Sequence, residues 1–89
     1  MKDTFCFEIT DTFGGEANYC WVRRYKVRSV SMLGAVQKLS RYTGYRFKKL
    51  YSGTLTRYDA TNATVCAFGM TEHEAAQAPA HDYFEYVEL

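Results

Sequence analysis

Apolar and polar residues alternate along residues 3–10. Phe5, Phe7 and Ile9 fall on one side, Cys6 and Glu8 on the other, which is the pattern of a strand with one buried face. Residues 11–16, with Gly14-Gly15 among them, read as the loop of a hairpin. A longer strand follows over 18–30, with Tyr19, Trp21, Tyr25 and Val27 in one row and Arg24, Lys26 and Arg28 in the opposite row. The period then changes. Met32, Ala35, Val36, Leu39 and Tyr42 recur at helical spacing, with Ser31 where an N-cap belongs and Gly44 where a helix stops. This predicts a helix over 31–43. Gly34 within it costs roughly 1 kcal/mol relative to Ala and permits a close approach to the sheet.

Further strands are expected over 45–51, where Tyr45, Phe47 and Tyr51 alternate with Arg46 and Lys48, and over 54–58 and 64–68. Ser52-Gly53 and Asp59 to Asn62 are turns between them. Thr71, followed by Glu72 and Glu74, opens a short helix that ends before Pro79, and residues 83–87 form a last strand. The expected fold class is α+β. It has a single antiparallel sheet with one principal helix (31–43) on one face, β-β-α-β-β in order, plus a short C-terminal helix and strand. The chain forms one domain, 1–89. Eight Tyr, six Phe and one Trp in a chain that is 47% apolar suit a small aromatic core and argue against disorder.

No apolar run approaches the length of a membrane span, and the first residues lack the apolar stretch of a secretion signal. The expectation is a cytoplasmic protein that does not associate with membrane. Cys6, Cys20 and Cys66 are odd in number and widely spaced, without the density of a disulfide scaffold or the pairing of a zinc site. They read as free thiols filling the interior. No cofactor or metal is expected.

Charge changes the picture. The formal net charge is only +1, but residues 1–22 carry −3, residues 23–58 carry ten basic residues and no acid, and residues 59–89 carry six acids and no base. If the aromatic rows face the helix, Arg24, Lys26, Arg28, Arg46 and Lys48 share the opposite, open face of the sheet. They are the candidate partner-binding residues. Three outcomes are open: the acidic ends fold over the basic block and neutralise it, the basic face is a contact surface, or acids within 72–88 form one.

Catalytic chemistry has little support. His73 and His81 are the neutral-pH bases, and they read as surface residues because no nucleophile stands near them in a recognisable motif. Gly14-Gly15 lacks the Lys and Ser/Thr of a phosphate loop. Trp21, Tyr25, Phe47 and Tyr51 are core residues in the simplest reading. Placed on the outer face among the cations, they would instead stack bases of single-stranded nucleic acid. The segment Tyr45-Arg-Phe-Lys-Lys-Leu-Tyr51 does not carry the RNA-recognition signature.

The stretch from Arg28 to Gly44, entered from a strand and left into another, and the later stretch from Arg57 to Phe68, resemble a build common in small phage-borne proteins. A short aromatic domain with polarised charge and no catalytic motif is similar to anti-CRISPR and anti-restriction inhibitors. The likeness is architectural and covers residues 18–70. It implies a non-enzymatic inhibitor that docks, as a monomer or small homo-oligomer, on a protein complex of a bacterial defence system such as a CRISPR effector. Target-DNA binding or nuclease recruitment would then be blocked. The near-neutral net charge favours a patch-to-patch contact over DNA mimicry. The alternative is a basic-faced domain that binds nucleic acid directly.

Overall fold

A computed structural model describes residues 2–13, 16–52, 56–77 and 86–89, with side chains other than those of 13–22, 76 and 77. The elements run β1 (Asp3–Phe13), β2 (Glu16–Ser29), α1 (Met32–Thr43), β3 (Phe47–Ser52), β4 (Thr56–Ala60), β5 (Val65–Thr71), α2 (Glu72–Gln77) and β6 (Tyr86–Glu88). They form one six-stranded sheet in the order β3-β4-β5-β1-β2-β6. The expected single sheet with a principal helix is present, with one correction. The sheet is mixed, not antiparallel, because β6 pairs parallel to β2 through Arg24↔Tyr86, Tyr25↔Val87 and Lys26↔Glu88.

The connections explain that correction. β5 and β2 both run antiparallel to β1, so the chain from β5 to β6 makes a parallel crossover past β1 and β2. Its α2 lies on the face holding Cys6, Cys66, Phe68 and Met70, against which Ala75 packs. The β2-α1-β3 connection crosses in the other direction over the opposite face. Opposite directions on opposite faces give the two crossovers the same hand, as the sterics of twisted sheets require. Period-two alternation carries no record of which strand lies beside which.

Local signals act where they were read. Ser31 is extended (φ −154°, ψ 161°) and its side chain accepts a hydrogen bond from the Gly34 amide at 3.1 Å. Gly44 is left-handed (φ 81°) and its amide donates to Ser40 O, a geometry that a side chain would strain. Thr71 and Glu74 form a reciprocal capping box: Thr71 Oγ1 accepts from the Glu74 amide at 3.1 Å, and Glu74 Oε1 accepts from the Thr71 amide at 2.9 Å. Asn62, in the β4–β5 turn, accepts from the Arg46 amide through Oδ1 and donates to Gly44 O through Nδ2, which ties that turn to the link between α1 and β3.

The core lies between α1 and the sheet. Ala35, Val36 and Leu39 pack with Phe5, Phe7, Ile9, Tyr25, Val27, Tyr58, Val65 and Ala67. β1 turns Phe5, Phe7 and Ile9 to one side as its alternation predicts, but it does not have one buried face only: Cys6, Glu8 and Thr10 on the other side are buried as well, because β1 lies in the middle of the sheet with α2 packed near that side. In β2 an extra residue between the pairs Ile9↔Arg23 and Thr10↔Trp21 shifts the register. Gly14-Gly15, residues 83–85 and His81 lie outside the described residues, as do the side chains of Tyr19, Cys20 and Trp21.

Candidate functional site

On the face turned away from α1, the registers align one residue from every strand into a single row: Tyr51, Arg57, Phe68, Glu8, Arg24, Tyr86. Rings, cations and one carboxylate thus stand side by side about 4.8 Å apart. The Arg24 guanidinium lies 3.9 Å from the centre of the Tyr86 ring, with Lys26 Nζ 5.0 Å from the same ring. Arg24 Nε and Glu8 Oε2 approach to 3.3 Å, with side chains only 15% and 7% exposed. That contact is an ion pair without the directionality of a hydrogen bond, since neither atom has a hydrogen-bond partner. Lys26 pairs with Glu72 of α2 at 3.8 Å, and Arg57 Nε donates to Asp59 Oδ1 at 2.8 Å. Burial works against the Arg57 charge, but the bond to Asp59 together with the fields of Cys66, Asp59 and Tyr51 outweighs it and holds the pKa above the usual value.

The five residues singled out from sequence do not form one open patch. Arg24, Lys26 and Arg28 share this face on β2. Arg24 is engaged with Glu8 and Tyr86, Lys26 with Glu72 and Tyr86, and Arg28 is exposed. Lys48 lies on the same face beside Asp59, but β3 is four strand spacings from β2, about 19 Å away. Buried Cys6, Cys66, Phe68 and Met70 lie between. Arg46 precedes β3, in the link that Asn62 holds. The face is also partly covered by α2 and widened by β6 beside β2, which alternation within β2 and β3 could not reveal.

Neutralisation of the basic block is partial. Among its ten cations, Arg24, Lys26 and Arg57 meet carboxylates. The other seven (Arg23, Arg28, Lys38, Arg41, Arg46, Lys48 and Lys49) have no carboxylate within ion-pairing distance among the described residues. Five of these seven belong to α1, β3 and the link between them. Lys38, Arg41 and Lys49, which strand alternation does not single out, belong to the same acid-free run. Exposed apolar side chains accompany them: Leu33 at 64%, Tyr42 at 61%, Leu50 at 55% and Tyr51 at 49%.

That end of the molecule also carries a groove of about 450 Å³ between α1 and β3–β4. Met32, Leu33 and Val36 form its wall, and Phe47, Tyr58 and Lys49 its floor. It opens on the face that carries α1, away from the aligned row.

Cys6 and Cys66 are buried free thiols, and burial pushes both pKa values up, against the nearby cations. A raised thiol pKa leaves little thiolate at neutral pH and disfavours nucleophilic chemistry. His73 is exposed on α2. Among the described residues, no group of three His, Cys, Asp or Glu side chains is placed to hold a metal, and no helix is long and apolar enough to cross a membrane. No protein family, curated protein or solved structure matches the chain.

Proposed function

We propose that this protein is a non-enzymatic, stoichiometric inhibitor that binds a nucleic-acid-handling complex of bacterial defence, in the manner of anti-CRISPR proteins. Its contact surface is the side built from α1, the 44–46 link and β3. The supporting observation is the set of cations there without carboxylate partners, Lys38, Arg41, Arg46, Lys48 and Lys49, interspersed with exposed Leu33, Leu50 and Tyr51. A positive potential of this kind speeds encounter with an acidic surface, and the apolar side chains supply area that desolvates on docking. Arg28, exposed at the end of β2 on the opposite face, stands apart from this surface. Arg24 and Lys26 serve mainly to hold β1, β2, α2 and β6 together.

Phage plating on hosts with an active defence system tests this reading. Expression of the protein should raise plating efficiency, and Arg41, Lys48 and Lys49 changed together to Glu should abolish the rise while leaving the melting temperature nearly unchanged. Lack of protection across CRISPR and restriction backgrounds refutes it. A second reading draws on Tyr42 and Tyr51, whose rings are exposed among the same cations and suit stacking with single-stranded nucleic acid. Oligonucleotide binding that weakens steeply between 50 and 200 mM salt, with no effect on plating, selects it.

A further inference from the structure

One helix does not cover this sheet. Six strands span about 24 Å from first to last, whereas a helix with its side chains is about 10–12 Å across. The inward residues of α1 share a core with β1, β2, β5 and Tyr58 of β4, and Met32 reaches β5, where its Sδ lies 3.1 Å from the position a Cβ on Gly69 would take. No second helix lies over β3 and β4 among the described residues, and the 450 Å³ groove occupies that position. Met32, Leu33, Val36, Phe47 and Tyr58 supply its apolar lining, Gln37, Ser40, Ser52 and Thr56 line the rest, and Lys49 is its one cation.

The surroundings select what fills it. A second copy docked through the same surface would oppose like charges, because residues 30–58 contain no acid and six bases, and opposed like charges cost several kcal/mol. An added strand on the free edge of β3 is disfavoured by Lys48, Lys49 and the irregularity between Lys49 and Tyr51, devices that blunt a sheet edge. Nucleic acid would set its phosphates against a wall of Met32, Leu33 and Val36. An amphipathic helix has the right width to lie beside α1 at the usual interaxial distance of about 8–10 Å, and acids along its flanks would meet Lys49 and Arg41.

We propose that the groove between α1 and β3–β4 binds an acidic amphipathic helix of the partner protein, laid across β3 and β4 with its apolar stripe against Leu33, Val36 and Phe47. The inference rests on the reading of this side as a protein-binding surface and names the element bound there.

The test uses a phage-displayed library of random 16-residue peptides selected on the full-length protein. Enriched peptides are synthesised and titrated into the ¹⁵N-labelled chain. Acidic sequences with apolar residues at i, i+3, i+4 and i+7 should emerge and shift the amides of residues 32–40, 47–49 and 56–58. Leu33→Glu and Lys49→Glu should each weaken binding about tenfold or more, as lost anchors and opposed charges do. Lys2→Glu is the control. It is exposed ahead of β1, outside the contact surface, and should change binding less than about threefold. Basic or extended consensus sequences, shifts on another face, or no enrichment overturn the proposal. So does a single-stranded oligonucleotide that shifts the groove amides when acidic peptides do not. If Leu33→Glu keeps full protection in the plating assay while the triple cation reversal loses it, the groove assignment falls and the inhibitor reading stands. Loss of protection in neither variant removes both.

Discussion

Arg24→Met separates a structural cation from a contact residue. The substitution leaves the Glu8 carboxylate with 7% of its side chain exposed and without the guanidinium now 3.3 Å away. Removing one member of a buried ion pair typically costs about 3–5 kcal/mol, because the remaining charge has lost both water and partner. A domain of this length has on the order of 4–13 kcal/mol of stability in all. The loss is therefore about a quarter or more of the whole, and at about 4–8 °C per kcal/mol the melting temperature should fall by roughly 12–40 °C. Lys26→Met is the internal control: its pair with Glu72 is longer, 3.8 Å, and its side chains are 32% and 60% exposed, so the change should be about 0–1 kcal/mol. Replacing both partners, Glu8→Leu with Arg24→Met, removes the stranded charge and should recover stability to within about 1–2 kcal/mol of the parent. Urea and thermal unfolding followed by far-UV circular dichroism give all four corners of the cycle. If Arg24→Met unfolds within about 1 kcal/mol of the parent, the pair is not holding the sheet, and Arg24 returns to the set of contact residues.

Three further outcomes follow from the packing. Leu39→Ala should cost about 2–5 kcal/mol in urea unfolding, because the side chain is fully buried beneath α1, and a variant that melts with the parent refutes the helix-on-sheet core. Gly69→Ala should destabilise by about 1–3 kcal/mol, since the new Cβ would stand 2.8 Å from the Phe7 ring, and Phe7→Leu in the same chain should recover part of that loss. Stability should decline at alkaline pH: burial raises the pKa of Cys6, Cys66, Tyr25, Tyr58 and Tyr86 in the fold, so their neutral forms favour it. That contribution is complete below the ordinary values of about 8.5 for thiols and 10 for phenols, and it is lost as pH rises through the raised values. A flat stability profile from pH 8 to 11 contradicts this.

What the sequence by itself determined is local. The alternation of Phe5, Phe7 and Ile9 placed β1 and its faces, because successive side chains of a strand must point to opposite sides. Ser31, Gly44 and Thr71 marked helix ends through bonds to backbone groups within four residues. The charge blocks were also legible, and with them the acid-free run that supplies the exposed cations. Tertiary structure alone decided which charges meet. Glu8 finds Arg24 through the β1–β2 register, and Lys26 finds Glu72 once α2 crosses back over the sheet. Tyr86 covers Arg24 because β6 joins β2 in parallel. The pairing of distant strands and the irregularities in β2 and β3 are set by which apolar faces must be buried together and by the hand of the crossovers. These are properties of the packed sheet, and no window along the chain contains them. The groove beside α1 has the same origin, a single twelve-residue helix laid on a sheet too wide for it.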